Sequence, residues 1–559
     1  MPAQSERIFE PSRRDMERIP PCYASACMWR RLSHLRLLAL CLILLALGGG
    51  CRCSRTPAPS SAERPAPSVR LYLVSGIAGA LEPCGCVNDQ LGGVNHFAAL
   101  LKSDAVAARL VLGAGPMLFQ NPALDPKEKD QDLIKARALG DVLAGIGMGG
   151  WAPGANDFAG GAELLDGVTH GRLTLFASNV AGGGFSATRV FEVGGERIGV
   201  AGVMAPKPDG GAPAATDPRA ALAAAVKALD ADGAHVKVAL LSLPRGEALR
   251  LAEAVPGFQV ALVANPVERG ETNDTPTPPE RVGDTLVVES QNHLQSVAVV
   301  DLFVRDGKYT FADATGIDAE DRRVSLAARA RDLEVAIAHG ANEADRAARK
   351  RDLDGVNAEL AELAKPRALP EGSAFRYELV PIKESLGSDP KSAELLANYY
   401  KSVNEHNREL FKDLLPPPVP PGESSYVGVE ACSVCHQSER EFWNRTPHHV
   451  AYASLASQNK QYNLECVGCH VTGYEAPGGT TVTHVDKLTD VQCEVCHGPG
   501  SRHIGSPDDQ ALVSIPERSL CAGKCHHPPH VHPDWSADAV WSVIVGPGHQ
   551  LTPAAKKGG

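Results

Sequence analysis

The chain has 559 residues and a formal net charge of −11. This length predicts two or more domains. Removing residues 1–50, which hold seven basic and four acidic residues, makes the net charge −14. Such an acidic balance argues against the basic surface that nucleic-acid binding needs, so we expect no nucleic-acid partner.

Residues 1–50 have the layout of a leader for export. Arg30 and Arg31 precede an apolar run, Leu37 to Leu47, which is too short to span a membrane as a helix. A polar stretch of 27 residues before Met28 is unusual for a signal peptide, and we expect Met28 to be the true start.

The end of the leader, Leu47-Gly-Gly-Gly50-Cys51, resembles a bacterial lipobox with its leucine one place early. The resemblance implies lipidation of Cys51 and a lipid anchor in a membrane; ordinary cleavage after small residues is the alternative. Residues 51–68 then form the lipidated N-terminus and a proline-rich tether. We therefore expect an exported protein, periplasmic or anchored in the outer membrane as a lipoprotein.

Residues 69–310 alternate between strand-like and helix-like patterns, which predicts an α/β domain with a largely buried sheet. An alanine-rich helix is predicted at Ala220–Ala231. Strands are predicted at Val69–Ser75, Arg109–Gly113, Arg197–Val203, Val236–Leu243, Phe258–Ala264, Thr285–Glu289 and Ser296–Val304.

Short motifs in this region resemble the calcineurin-like metallophosphoesterases, specifically the 5′-nucleotidase group. They are Leu91-Gly-Gly-Val94, Gly154-Ala-Asn-Asp-Phe158, Ala177-Ser-Asn-Val180 and Ile198-Gly-Val-Ala-Gly202. The resemblance implies a metallophosphoesterase-like α/β sandwich.

The two-metal site of that family is degenerate here. The positions that match its ligands are Gly76, Ala78, Gly115-Pro116, Asn156-Asp157, and residues near Leu243 and Asn265. Only Asn156 is clearly kept, and two divalent ions cannot be held to generate a hydroxide nucleophile without the missing carboxylates and imidazoles. We expect a binding or scaffolding role without phosphoesterase activity; a residual nucleotidase is the alternative.

A second cysteine pattern, Cys84-Gly-Cys86, follows the first predicted strand. A disulfide between residues so close in sequence is strained. The pair is either a soft-metal, redox or cofactor-contact site, or simply two free thiols.

The chain between this domain and the last quarter is predicted to be helical and then proline-rich. Residues 318–364 have heptad-like leucine spacing interrupted by Gly340, which predicts a helical hairpin. Residues 370–415 are a connector with a strand at Ala374–Pro381 and a helix at Ser392–Leu415. A proline-rich linker follows at 416–424.

Four cysteine–histidine motifs lie in the last domain, 425–549. They are Cys432-Ser-Val-Cys435-His436, Cys466-Val-Gly-Cys469-His470, Cys493-Glu-Val-Cys496-His497 and Cys521-Ala-Gly-Lys-Cys525-His526. The first three match C-x-x-C-H, in which two thiols attach a c-type haem and the histidine binds its iron. The fourth has one extra residue. Zinc is the alternative, but zinc sites give no reason for a histidine after each second cysteine.

The iron ligands on the far side of each haem are predicted to be histidines. Tyr426 to Gly559 contains no methionine, which excludes His/Met ligation within this segment. With His436, His470, His497 and His526 as proximal ligands, the distal candidates are His448, His503, His484 and His530. Low-potential bis-histidine haems follow; one open iron is the alternative.

The same segment resembles the tetrahaem cytochrome c family whose founding member takes electrons from hydroxylamine oxidoreductase. The resemblance rests on Tyr426-Val-Gly428, Thr446-Pro-His448, Cys466-Val-Gly-Cys-His-Val-Thr-Gly473 and Val491-Gln-Cys-Glu-Val-Cys-His-Gly-Pro-Gly500. It implies four c-type haems, with His448 and His503 as the best distal ligands.

The complete prediction is an α/β metallophosphoesterase-like sandwich, then a helical hairpin, then a small, mostly irregular and α-helical multihaem cytochrome c domain. The function that it favours is electron transfer between redox partner proteins. The alternative is an oxidoreductase that acts on a small nitrogen or sulfur compound at an open haem.

Overall fold

The computed structural model describes residues 66–83, 90–169, 171–205, 212–266, 273–275, 277–317, 320–338, 343–365, 369–508, 512, 516–527, 531 and 535–546. All of them belong to one unit within Ala66–Gly559. The predicted leader, Cys51, Cys84, Cys86 and His530 lie outside these residues. Within the described ranges, none of the helices combines the length and the apolar character needed to cross a membrane.

Two mixed sheets form the first part of the unit. The strands of the described residues are β1 (Val69–Ser75), β2 (Arg109–Ala114), β3 (Met148–Ala152), β4 (Thr174–Leu175), β5 (Thr188–Val193), β6 (Glu196–Met204), β7 (Val236–Ser242), β8 (Val260–Val263), β9 (Glu280–Val282), β10 (Thr285–Val288), β11 (Ser296–Phe303), β12 (Ala312–Asp313) and β13 (Ala374–Pro381). The first sheet has the order β12-β13-β11-β1-β2-β3-β4, and the second has the order β5-β6-β7-β8-β10-β9. All seven predicted strands of residues 69–310 are present, with ends that differ by no more than two residues.

Helices cover both sheets and then form most of the C-terminal part. The helices of the described residues are α1 (Val94–Ser103), α2 (Lys129–Gly145), α3 (Ala162–Thr169), α4 (Pro218–Ala231), α5 (Arg245–Ala254), α6 (Glu320–Ala338), α7 (Glu343–Leu363), α8 (Pro390–Leu410), α9 (Val429–Ser433), α10 (Gln437–Trp443), α11 (Ala451–Ala456), α12 (Leu464–Val467), α13 (Cys493–His497), α14 (Ser501–Gly505), α15 (Ser519–Lys524) and α16 (Ala537–Ile544).

The two sheets pack face to face, and helices cover the outer face of each. Leu73 of β1, Val200 of β6 and Leu240 of β7 belong to the central apolar layer between the sheets. A second layer joins the first sheet to α1, α2 and α8, and a third joins the second sheet to α4 and α5. Each sheet therefore packs on the other sheet with one face and on helices with the other face. This arrangement is an α/β sandwich, as predicted.

The structure contains a helical hairpin, and the helix of the connector is shorter than predicted. Helices α6 and α7 pack on each other through Leu326, Ala330 and Val356. They lie in the chain between β12 and β13, which pair with each other in the first sheet. Helix α8 ends at Leu410 instead of the predicted Leu415. The residue before a proline avoids helical backbone angles, and Leu415 directly precedes Pro416.

Residues 66–415, where described, are called the α/β body below, and residues 425–546, where described, are called the haem segment. The haem segment consists of short helices joined by turns, and its described residues form isolated bridges, such as Val471 with Thr489, in place of strands. This irregular, mostly helical architecture agrees with the prediction.

Candidate functional site

Each cysteine–histidine motif lies on one helical turn. In the first motif the backbone N–H of His436 donates to the carbonyl of Cys432 at 3.0 Å, and in the fourth the N–H of His526 donates to the carbonyl of Cys521 at 2.8 Å. The third motif is the whole of α13. Because residues three or four apart lie on one side of a helix, one turn presents both thiols together and sets the histidine at its end.

The four motifs contact one another in pairs. The thiol of Cys432 in the first motif lies beside that of Cys493 in the third, and the thiol of Cys469 in the second lies beside that of Cys525 in the fourth. Contact with the Cys525 thiol lowers the pKa of the Cys469 thiol. All eight cysteines of the motifs are free thiols. They are therefore available to form the two thioether bonds that each c-type haem requires.

Two pairs of histidine rings have a spacing that suits a shared iron. The ring centres of His436 and His503 are 6.4 Å apart with an interplanar angle of 26°. Those of His448 and His526 are also 6.4 Å apart. Two imidazole nitrogens that bind one metal at about 2 Å place their ring centres roughly 6 Å apart. The separation of the rings in both pairs therefore matches that of two imidazoles that share one iron.

Burial keeps two of these rings in the form that binds metal. Burial, with smaller effects from the charges of His526 and His470, lowers the pKa of His448. Burial and then the charge of His527 lower the pKa of His526. A lower pKa favours the neutral imidazole, whose lone pair is free for iron.

For the remaining predicted ligands, the structure shows fewer contacts that bear on metal binding. The Nδ1–H of His470 donates to the carbonyl of Ala451 at 2.6 Å, which orients the ring in the way that is usual for metal-binding histidines. His497 ends α13. His484 lies beside the Thr483 hydroxyl at 3.1 Å, and the described residues show no ring contact between it and a proximal histidine. His530 lies outside the described residues.

A buried carboxylate that belongs to no predicted site joins the first and third motifs. Glu494, which is 2% exposed, accepts hydrogen bonds from the backbone N–H groups of Val427, Gly428 and Gly500 at 2.8–3.1 Å. Gln492 adds a bond from the N–H of Val429 at 2.6 Å. The chain before the first motif is thereby fixed to the third motif. No sequence signal distinguishes Glu494 from an ordinary spacer residue of the motif.

At the carboxyl ends of β2 and β3, Asp157 occupies a position that matches a metal ligand in the metallophosphoesterases. Its Oδ1 accepts from the N–H groups of Met117 and Leu118, at 2.8 and 2.7 Å. Its Oδ2 accepts from the N–H of Gly154 at 3.0 Å and from the Trp151 indole at 3.2 Å. The side chain has no exposed surface. Its four acceptor positions are all used within the protein.

A cavity of about 160 Å³ lies nearby, at the carboxyl ends of β1 and β8, and is lined in part by Gly76, Asn265, Asp274 and Glu289. Burial, followed by the charge of Glu289, raises the pKa of Asp274. Arg245 lies 3.5 Å from Glu289. The cavity therefore brings polar and charged groups together beside Gly76 and Asn265.

The paired thiols and imidazoles define a multihaem c-type cytochrome segment. Residues 431–498 match the family described as Cytochrome c554 and c-prime. Cytochrome c-554 of Nitrosomonas europaea is 33% identical over 99 residues, which are 15% of this chain and 42% of that protein. The chain thus spans less than half the length of this curated relative. The haem segment has the predicted resemblance, and c-type haem is its cofactor.

Solved structures resemble the chain more widely but less closely. A 5′-nucleotidase precursor from Thermus thermophilus aligns with a TM-score of 0.41 and 18% identity, covering 69% of this chain and 68% of that one. The sulfate thiohydrolase SoxB of the same organism aligns with a TM-score of 0.42 and 16% identity, covering 68% and 69%. The first belongs to the class that the α/β motifs resemble. At these values neither likeness assigns an activity.

Proposed function

We propose that the protein is an exported multihaem c-type cytochrome that transfers electrons through four bis-histidine haems. The observation that carries this proposal is the meeting of four cysteine–histidine motifs in one segment, with two pairs of histidine rings 6.4 Å apart. When bound, the haems supply one-electron oxidation and reduction, and histidine on both sides favours a low potential.

The residues have separate roles in this proposal. Each motif attaches one haem through its two cysteines and binds the iron through its own histidine. His503 would bind the iron of the first haem together with His436, and His448 would bind that of the fourth together with His526. His484 and His530 remain the candidates for the other two haems. Because the fourth motif has a longer spacer, its haem is the one whose attachment most needs direct proof.

The test is a haem count on the exported, purified protein. Intact mass, iron content and the pyridine haemochrome spectrum should agree on four covalently bound haems. A protein that is exported without haem, or that holds zinc at the motifs, would overturn the proposal.

His503→Ala and His448→Ala should each convert one haem from low spin to high spin. Removal of the distal imidazole opens one coordination position of the iron, which carbon monoxide can then occupy. Electron paramagnetic resonance and carbon monoxide difference spectra measure this change. His449→Ala is the matched control, because the His449 Nδ1–H donates to the Thr446 carbonyl at 2.7 Å and no distal role is assigned to the residue. An unchanged low-spin count in both variants would contradict the two ligand assignments.

We further propose that the α/β body has lost the two-metal site of the phosphoesterases and serves as a binding or scaffolding part. The four hydrogen bonds to Asp157 support this, because they leave the carboxylate no lone pair for a metal. Asn156 donates its side-chain N–H to the Gln120 carbonyl at 2.7 Å.

The purified protein should release no phosphate from nucleoside monophosphates in the presence of Mn²⁺, Mg²⁺ or Zn²⁺. Release well above that of the protein without metal, and abolished by Asn156→Ala, would show that an active site remains. Release that Asn156→Ala leaves unchanged would point to a contaminating enzyme.

The proposed partners are redox proteins outside the cytoplasm, reached from a membrane to which lipidated Cys51 anchors the chain. The proline-rich tether that follows Cys51 in the sequence supports this proposal, since it would space the α/β body from a membrane surface.

A further inference from the structure

The α/β body holds the second haem-attachment motif through a buried polar contact. Asn407 of α8 donates to the carbonyl of Tyr462 at 2.9 Å and to the side-chain oxygen of Gln131 at 2.9 Å. The same oxygen of Gln131, which belongs to α2, accepts from the backbone N–H of Leu464 at 2.9 Å. Gln131 and Asn407 are each 1% exposed. Two helices of the α/β body therefore fix the chain immediately before Cys466.

A buried charge lies at the centre of this contact. The Lys135 ammonium group lies 2.5 Å from a carboxylate oxygen of Glu465 and 3.3 Å from one of Asp132. The Lys135 side chain is 8% exposed. Burial alone would lower the pKa of Lys135, but the charges of Glu465 and Asp132 outweigh burial and raise it, so the residue is a fixed cation.

This cation is close to the attachment point of the second haem. Glu465 directly precedes Cys466 in α12. The hydroxyl of Tyr399, a residue of α8, lies within electrostatic range of Lys135, Glu465 and Cys466. Tyr399 and Lys135 are both buried, so little water reaches the Lys135 ammonium group to screen its charge, whereas the Glu465 side chain is 39% exposed.

We propose that Lys135 raises the reduction potential of the haem attached at Cys466 and Cys469, so that the α/β body sets the potential of one haem in the chain of four. This inference rests on the proposed haem function. Ferric haem carries one more positive charge than ferrous haem, and a nearby buried cation therefore disfavours the oxidised form. Lys135 acts through its charge and does not contact the reacting iron.

The experiment is an optical redox titration of the fully haem-loaded protein and its variants. Lys135→Met should reduce the equilibrium constant for one-electron reduction of one haem about tenfold. Its midpoint potential should therefore fall by about 59 mV. Glu465→Gln should raise the same midpoint, because it removes the opposing negative charge. The double variant should return it close to its original value, and Lys135→Arg should leave it unchanged.

The matched control is Lys102→Met, which makes the same chemical change at a 70% exposed lysine of the same body, paired with Asp389. It should shift no midpoint. The shifting midpoint should be missing from a protein with both Cys466 and Cys469 replaced by alanine, which assigns it to the second haem.

Lys135→Met by itself leaves the Glu465 carboxylate without its cation, which can impair folding. The double variant removes both members of the pair and therefore controls for this effect. Equal shifts of the same sign in Lys135→Met and Glu465→Gln would show a structural effect, and no shift in either would show no effect of charge. Both results overturn the inference while leaving the haem count intact. A protein without haem overturns the proposed function itself.

Discussion

A protein with Cys493→Ala and Cys496→Ala should contain one haem fewer and should lose the ordered packing of the whole haem segment. The third motif contacts the first, because the thiol of Cys493 lies beside that of Cys432. Its Glu494 also fixes the chain before the first motif. We therefore expect slow electron exchange among the remaining haems and rapid proteolysis within residues 425–546.

Intact mass, stopped-flow reduction and limited proteolysis measure these three effects. Cys84→Ala with Cys86→Ala is the matched control, since it removes two cysteines outside the haem segment and should leave the haem count unchanged. If the Cys493/Cys496 variant kept its full haem count, the third motif would not be an attachment site. If it lost one haem but kept its protease resistance, the third motif would not be needed for the packing of the haem segment.

Asp157→Ala should destabilise the α/β body by about 3–5 kcal/mol. It removes the acceptor for three backbone N–H groups and one indole N–H, all of which stay buried. For a domain of this size, that loss lowers the melting temperature by roughly 5 °C. Calorimetry measures the transition of the α/β body, and the haem absorption spectrum should show that the haem segment is intact.

Asp166→Ala is the control for this change, because Asp166 is an exposed aspartate of α3 in the same body. It should leave the transition unchanged. The melting temperature of Asp157→Asn should lie between those of Asp157→Ala and Asp166→Ala. The asparagine amide keeps one oxygen acceptor, but its N–H group faces other hydrogen-bond donors. A melting temperature that did not change in Asp157→Ala would show that the four hydrogen bonds contribute nothing to stability.

Several strands could be predicted from the sequence, whereas the short strand β3 could not. Val69–Ser75 and Ala374–Pro381 are found with their predicted bounds. Strand β3, Met148–Ala152, is absent from the predicted strands because two of its five residues are glycines. A Cβ on Gly150 would lie 2.0 Å from the carbonyl oxygen of Thr174, so the strand pairing itself requires glycine there. A local pattern does not reveal such a close approach between strands.

The c-type haem of this segment could be predicted because the spacing of the cysteine–histidine motifs is local. The ring pairs of His503 with His436 and of His448 with His526 bring together residues that are 67 and 78 positions apart. The sequence motifs indicate both distal candidates but not their partners. Gln131, Lys135 and Asn407 have no such signal, because each is an ordinary helix residue until the haem segment packs against it.

The insertion of α6 and α7 between β12 and β13 has a consequence for the order of assembly. As the chain emerges with its N-terminus first, β11 gains its neighbour β13 only after the whole hairpin has appeared. Helix α8 follows at once and ends at Leu410, before Cys432, the first cysteine of the haem segment. The residues of α2 and α8 that contact the second motif have therefore all emerged before any cysteine of the four motifs does.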